Sequence, residues 1–477
     1  MRTLVASLVC GLLWLTGEFN PAAHAADERK VFWFVTPEGD GALIHDYAKR
    51  WVEMGQGHER FDFDEIARTN ETVELLDRSR NVGLKVHADQ GELRLNGSPN
   101  WQPWQHGKWI ALGDLPKSTP FVPADQKIRL AYFVPGDRRP TEHYEQKIRV
   151  VMELVADIYR RDLKDKGYRS DGITLETNAA GEPIVHLIQT DKPAQYYNGA
   201  PAFDGERHFQ RIMDEIPGTV GNPRRHTIVL LAETYEPGPA PIEWAGSVGR
   251  GGHFTADGGL AIMSSWILRD EFCAMTYADE KKLILDDTPI EGRTALQTRR
   301  LNSPRFEFIE DGFGAVVHEL GHALGLPHDY RQPNDLMGHG FRDLQVNFRS
   351  SSDKKKRIAF SRDNARLLGV SRYLFPEIDR TDNTPPTADI TVRVAEGSAP
   401  TASVSLKASD DRGLRAVVFY DPQNDTVIGG AEMKGREQAV NQKLPLKALK
   451  PGEFKLVTML ADAGGNIAMI TTAAKPP

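Results

Sequence analysis

Apolar residues recur along this chain with two periods, and the places where one gives way to the other divide it. From residue 27 to about 120 the runs are short and alternating: Val31-Phe-Trp-Phe-Val35, Arg60-Phe-Asp-Phe-Asp64, Val82-Gly-Leu-Lys-Val86, Glu92-Leu-Arg-Leu95 and Lys108-Trp-Ile-Ala-Leu112. Period two with turn residues between predicts strands, so a β-rich domain is expected here, with one helix around residues 43–52. Trp101, Trp104 and Trp109 cluster near its end and either pack its core or offer a stacking platform.

From about residue 125 strands and helices alternate. Ile128 to Val134 reads as a strand, and a helix then opens with Thr141 as its cap, carries Tyr144, Ile148, Val151, Val155 and Ile158 at helical spacing, and ends before Gly167. Residues 184–188 read as a strand, 206–216 as a short helix and 226–232 as a buried strand. A glycine-dense stretch, 246–253, leads into a further strand at 258–264, and His253 reads as a surface residue. Ser361 caps a last short helix, with Gly369 after it. The stretch 376–386 has the composition of a linker. Beyond residue 387, alternating runs at 390–394, 403–406, 416–420 and 454–460 predict a β-sandwich, with Asp410 to Gly413 and Asp462 to Asn466 in turns. Those turns suit ordinary Asx chemistry or a structural Ca2+ ion, which the sequence leaves open.

Between these parts lies a helix predicted over residues 309–324, with Ile309, Phe313, Val316, Val317, Leu320 and Leu324 at spacings of three and four. It carries His318 and His322, one turn apart on one face, so their imidazoles can converge on a single cation. Glu319 is the residue type that takes a proton from water activated by such a cation. Gly325 suits a sharp, left-handed exit that returns His328 as a third ligand. Three imidazoles with an open fourth position describe a catalytic zinc site rather than a structural one. A buried amphipathic helix that merely carries histidines would explain HExxH alone, but not Gly325, His328 and Met337 at their offsets.

His318 to His328 resembles the metzincin zinc signature HExxHxxGxxH, and residues 334–338, Asn-Asp-Leu-Met-Gly, resemble its Met-turn. Asp329 after the last histidine is similar to the reprolysin form, and HALGL to matrixins and serralysins. The resemblance implies a peptidase domain at residues 125–375, one catalytic Zn2+ on His318, His322 and His328, Glu319 as general base, and Met337 as the floor beneath the imidazoles. It also implies an edge strand beside bound substrate, here assigned to Gly258, Gly259, Leu260, Ala261 and Ile262. Astacins and serralysins place an oxyanion-stabilising tyrosine two residues past the methionine. His339 stands there, as an oxyanion or a purely structural hydrogen-bonding residue. The domain at 27–120 is then a propeptide or a binding module, and the segment at 387–477 resembles bacterial immunoglobulin-like modules.

Residues 1–25 have Arg2, an apolar run and a small-residue site at Ala23-His-Ala25, which reads as a secretory signal peptide. Removing it would leave Cys273 alone, so no internal disulfide is expected, and the protein is expected to be secreted, periplasmic or at a bacterial cell surface. A formal charge of −7 over 477 residues argues against a nucleic-acid partner. The fold class expected is thus multidomain α+β, a metzincin-like catalytic domain flanked by an N-terminal β domain and a C-terminal β-sandwich. The expected partner is a protein or peptide substrate, with a cell-surface or glycan ligand for the flanking β domains. The alternative is a catalytically degenerate adhesin whose β domains carry the function, against which the intact Glu319 argues. Activity on a non-peptide amide or ester stays open.

Overall fold

The computed structural model describes residues 29–474 except 37–38, 48, 56–60, 79, 111–113, 115–125, 199–203, 217–218, 222, 224–225, 238–243, 246–248, 297–299, 350–355, 380–381, 383, 396 and 450–452. The stretch read as a signal peptide lies outside the described residues. The chain divides into two compact units, residues 1–122 and 123–477.

In the first unit eight antiparallel strands close into a barrel: β1 (Val31–Thr36), β2 (Gly39–Tyr47), β3 (Arg50–Gly55), β4 (Phe61–Arg68), β5 (Val73–Asp77), β6 (Val82–Val86), β7 (Gln90–Leu95) and β8 (Gln102–Ile110), with β8 returning to pair with β1. Closure removes the sheet edges that an open meander would expose. The helix expected over 43–52 is instead the β2–β3 hairpin, where Leu43 pairs with Glu53 and Ile44 with Val52. Its apolar residues fit both periods over so short a run, and the neighbouring strands decide between them. Phe32, Phe34, Leu43, Trp51, Phe63, Leu75 and Leu84 form one core. Trp104 and Trp109 pack onto this core, and Trp109 Nε1 donates to the His87 carbonyl at 2.7 Å. Trp101 lies apart, under Lys85 and Arg94.

The second unit begins with β9 (Arg129–Val134), α1 (Tyr144–Asp165), β10 (Val185–Gln189), α2 (Ala194–Asn198), α3 (Gly205–Glu215) and β11 (Thr227–Ala232). After a two-residue pair, β12 (Glu236–Pro237) and β13 (Trp244–Ala245), come β14 (Gly249–Thr255), β15 (Gly258–Ser264), α4 (Tyr277–Leu283), α5 (Arg305–Ala323) and α6 (Arg362–Leu368). The main sheet has the order β10-β9-β11-β15-β14, parallel except for β14. Helix α1 is not capped by Thr141: His143 occupies the cap with φ 56°, and the Thr141 hydroxyl donates to Glu233 at 2.6 Å. For α6 the Ser361 side chain accepts from Asn364 N–H at 3.1 Å, as its sequence predicts.

One assignment is corrected by the topology. Residues 258–264 do not form the sheet edge: β15 pairs with β11 on one side and β14 on the other, and Gly258, Gly259, Leu260, Ala261 and Ile262 are buried. The edge is β14, the glycine-dense stretch. Its sequence, GRGGHFT, lacks the apolar alternation by which strands are recognised, because packing on α5 demands glycine there.

The C-terminal part holds β16 (Thr387–Ala395), β17 (Thr401–Ser409), β18 (Leu414–Asp421), β19 (Thr426–Glu432), β20 (Glu437–Pro445), β21 (Phe454–Asp462) and β22 (Ile467–Ala474). These make two antiparallel sheets, β16-β17-β20 and β19-β18-β21-β22, around a core that includes Val404, Leu406, Val417, Phe419, Leu456 and Leu460. Among the described residues no helix is long and apolar enough to cross a membrane.

Candidate metal centre

Helix α5 is buried from Glu307 to Ala323, not along one face only, because β14, β15 and the loop beyond the helix enclose it. Three glycines permit this closeness. A β-carbon at Gly251 would lie 2.1 Å from the Glu319 carbonyl oxygen, one at Gly259 2.0 Å from that of Ala323, and one at Gly321 2.5 Å from Met337 Sδ.

The helix ends in a Schellman turn. Gly325 takes φ 91°, Gly325 N–H donates to the His322 carbonyl at 3.0 Å, and Leu326 N–H donates to that of Gly321 at 2.9 Å. The reversal carries the Leu326 carbonyl onto His322 Nδ1 at 2.8 Å and brings His328 back over the helix. His318 Nδ1 meets the Leu336 carbonyl at 2.8 Å, and Met337, fully buried, holds the Asp329 N–H on its own carbonyl at 2.9 Å.

His318, His322 and His328 are brought together as their spacing predicts. His322 Nε2 lies 3.1 Å from His318 Nε2 and 3.1 Å from His328 Nε2. Each Nδ1 faces an acceptor, which fixes the proton there and turns three Nε2 lone pairs toward one another. Lone pairs cannot satisfy one another, so the chemistry of this donor set fits a divalent cation such as zinc. Burial drives both helix histidines toward the neutral form that ligation needs: His318 falls to about 3, with His328 nearby adding to the effect, and His322 falls well below its ordinary value.

Glu319 is 6% exposed, with its carboxylate against Gly249 and in reach of the Gly251 N–H. Burial pushes its carboxyl up to about 8, although the Gly251 N–H, Arg250 and Arg342 pull the other way. His339 is exposed. Its ring lies 4.8 Å from that of Tyr330, which lies 5.2 Å from that of His328. His253 does not stand free on the surface: it packs beside Gly325 with Nδ1 3.4 Å from the Ala323 carbonyl, and burial lowers it to about 4.

The contact on His328 comes from the C-terminal sandwich. Both carboxylate oxygens of Asp425, at the tip of the β18–β19 hairpin, lie 2.9 Å from His328 Nδ1. Val427 N–H donates to the His328 carbonyl at 2.9 Å, Tyr330 N–H to the Thr426 hydroxyl at 2.9 Å, and the Tyr420 hydroxyl to Asp425. Asp425 takes φ 52°, a left-handed conformation that aspartate tolerates at modest cost. Neither Asp425 nor Tyr330 is marked by its sequence, since an Asn-Asp pair between strands reads as a turn and a lone tyrosine as packing.

No curated protein is matched by the sequence. Among solved structures, the catalytically inactive OgpA from Akkermansia muciniphila in complex with an O-glycopeptide is similar, with TM-score 0.49 and 15% identity over 74% of this chain and 94% of that one. Wild-type OgpA of the same organism gives TM-score 0.47 and 16% identity over 74% and 94%. Residues 281–369 match the model of the family described as "Putative peptidase family". His318, Glu319, His322, His328 and Met337 all lie inside that peptidase-family match.

Proposed function

We propose that the protein is a secreted zinc endopeptidase of metzincin type. The observation that carries the reading is the convergence of the His318, His322 and His328 Nε2 atoms one residue from a buried glutamate. His318, His322 and His328 would hold a zinc ion, which would supply Lewis acidity toward a water molecule and the scissile carbonyl. Glu319, which the charge of a bound cation would return to its ionised form, would accept a proton from that water and pass it to the leaving amine. The Gly251 N–H beside it and the enclosing β14 hold the carboxylate in place and limit its access to bulk water.

In this reading the strand that pairs with substrate is β14 rather than β15. Its outer side faces no strand among the described residues, and backbone groups on a sheet edge can pair with an extended peptide. The C-terminal sandwich, with seven strands in two antiparallel sheets, supports the immunoglobulin-like reading, and the sequence at residues 1–25 supports export.

Glu319→Gln tests the reading. Casein or gelatin cleavage should fall about a hundred- to ten-thousandfold, the scale of losing a general base, while zinc content measured by elemental analysis stays at the wild-type level. A variant that still cleaves at a comparable rate rules the mechanism out.

A further inference from the structure

A second cluster of acidic side chains lies far along the chain from the histidines, where the linker enters the sandwich. Asp382 belongs to the linker, and Asp410 and Asp411 form the turn between β17 and β18. One carboxylate oxygen from each lies within 4.8 Å of the others. Asp382 is 2% exposed and Asp410 9%.

Their hydrogen bonding is lopsided. Asp382 Oδ1 accepts from Thr384 N–H at 3.2 Å, and Asp410 Oδ1 accepts from Arg412 N–H at 2.8 Å and from Gly413 N–H at 2.5 Å. The Oδ2 atom of each is buried without a hydrogen-bond partner among the described residues. Burying such an oxygen without a partner is costly, and the neighbouring Asp410 and Asp411 add like-charge repulsion on Asp382. Among the described residues the nearby guanidiniums make their hydrogen bonds elsewhere, although the Arg412 charge still favours an ionised Asp382. Arg412 pairs with Asp379 at 2.8 Å. Arg372, fully buried, donates to the backbone carbonyls of Asp382 and Gly464 and to Asp257. Gly464 makes room for the unpartnered oxygen: a β-carbon there would lie 2.3 Å from Asp382 Oδ2.

We propose that Asp382, Asp410 and Asp411 bind one calcium ion that pins the linker to the β17–β18 turn. The donors are all carboxylate oxygens, with no imidazole or thiolate, which selects a hard cation over zinc. Three carboxylates from two separate segments suit the irregular, six- to eight-oxygen shell of calcium better than the strict octahedron of magnesium. Asp411 is exposed, so water reaches its side of the cluster and can contribute to the shell. The site bears on the fold around it, because Arg372 ties the Asp382 carbonyl to Asp257 at the start of β15 and to the β21–β22 turn. This proposal does not depend on the peptidase reading.

The test uses the full chain as purified, passed through calcium-free buffer and then equilibrated with labelled calcium chloride. One calcium per chain is expected, with a dissociation constant of about 1 mM or tighter, the range of extracellular calcium modules, and a rise in Tm on calcium addition. Asp382→Asn combined with Asp410→Asn should weaken binding at least tenfold while the far-ultraviolet circular dichroism of the calcium-free protein stays unchanged. Should that pair fail to fold, the exposed Asp411→Asn should still weaken calcium binding severalfold. Absence of stoichiometric uptake by the wild type at about 10 mM calcium, well above that range, overturns the proposal, as does unchanged affinity in a folded variant.

Discussion

Replacing Asp425 with alanine probes the reach of the C-terminal sandwich into the histidine cluster. The carboxylate is the acceptor for His328 Nδ1, through two contacts of 2.9 Å. A hydrogen bond to a charged partner contributes about 1.5–3 kcal/mol, and loss of a partner behind a metal-ligating histidine lowers metal affinity about 10- to 100-fold. The Asp425 side chain is 33% exposed, so solvent screens part of the interaction and the lower end applies. A zinc dissociation constant raised about tenfold is therefore expected, equivalent to about 1.4 kcal/mol. The assay is competition with a chromophoric chelator at fixed pH. Tyr420→Phe, which removes a donor to Asp425, should move the constant in the same direction by less. The reasoning fails if Asp425→Ala binds zinc within twofold of wild type while its fold is intact, because His328 would then be oriented by its backbone alone.

Other outcomes follow from the same geometry. His328→Ala should sharply lower zinc retention, and full occupancy by elemental analysis would remove His328 from the ligand set. Burial pushes the Glu310 carboxyl from 4.5 up to about 9, so its contribution to stability is fully present below about pH 4.5 and is lost as pH rises through about 9. Glu310→Gln, which keeps the acceptor for Gln345 N–H, should flatten Tm against pH over that window and leave the variant more stable than wild type at pH 8. An unchanged slope would refute this. Gly251→Ala places a β-carbon 2.1 Å from the Glu319 carbonyl, and should cost on the order of 1–3 kcal/mol in denaturant unfolding through displacement of β14. Wild-type stability in that variant would show that the strand yields freely.

The histidine cluster was legible because a helix and its reversal are local: spacings of four and six residues place His318, His322 and His328 before any tertiary contact is considered. What escaped depends on distant partners. Residues 43–52 are apolar enough for a helix and become strands through pairing across a barrel. The edge strand β14 hid behind glycines whose reason lies in another element, and the sandwich strands β19 and β20 behind glycines and a polar run. Asp425 is 97 residues from His328, beyond anything a local pattern can signal.

That separation also sets an order of events in biosynthesis. A chain emerging from the ribosome exposes all three histidines and Glu319 well before the β18–β19 hairpin exists, and contacts of such long sequence separation form late. Assembly of the histidine cluster therefore waits on the docking of the sandwich that follows it in the chain. A chain released before that hairpin is made would carry His318, His322 and His328 and still lack the acceptor on His328 Nδ1 that fixes its third imidazole.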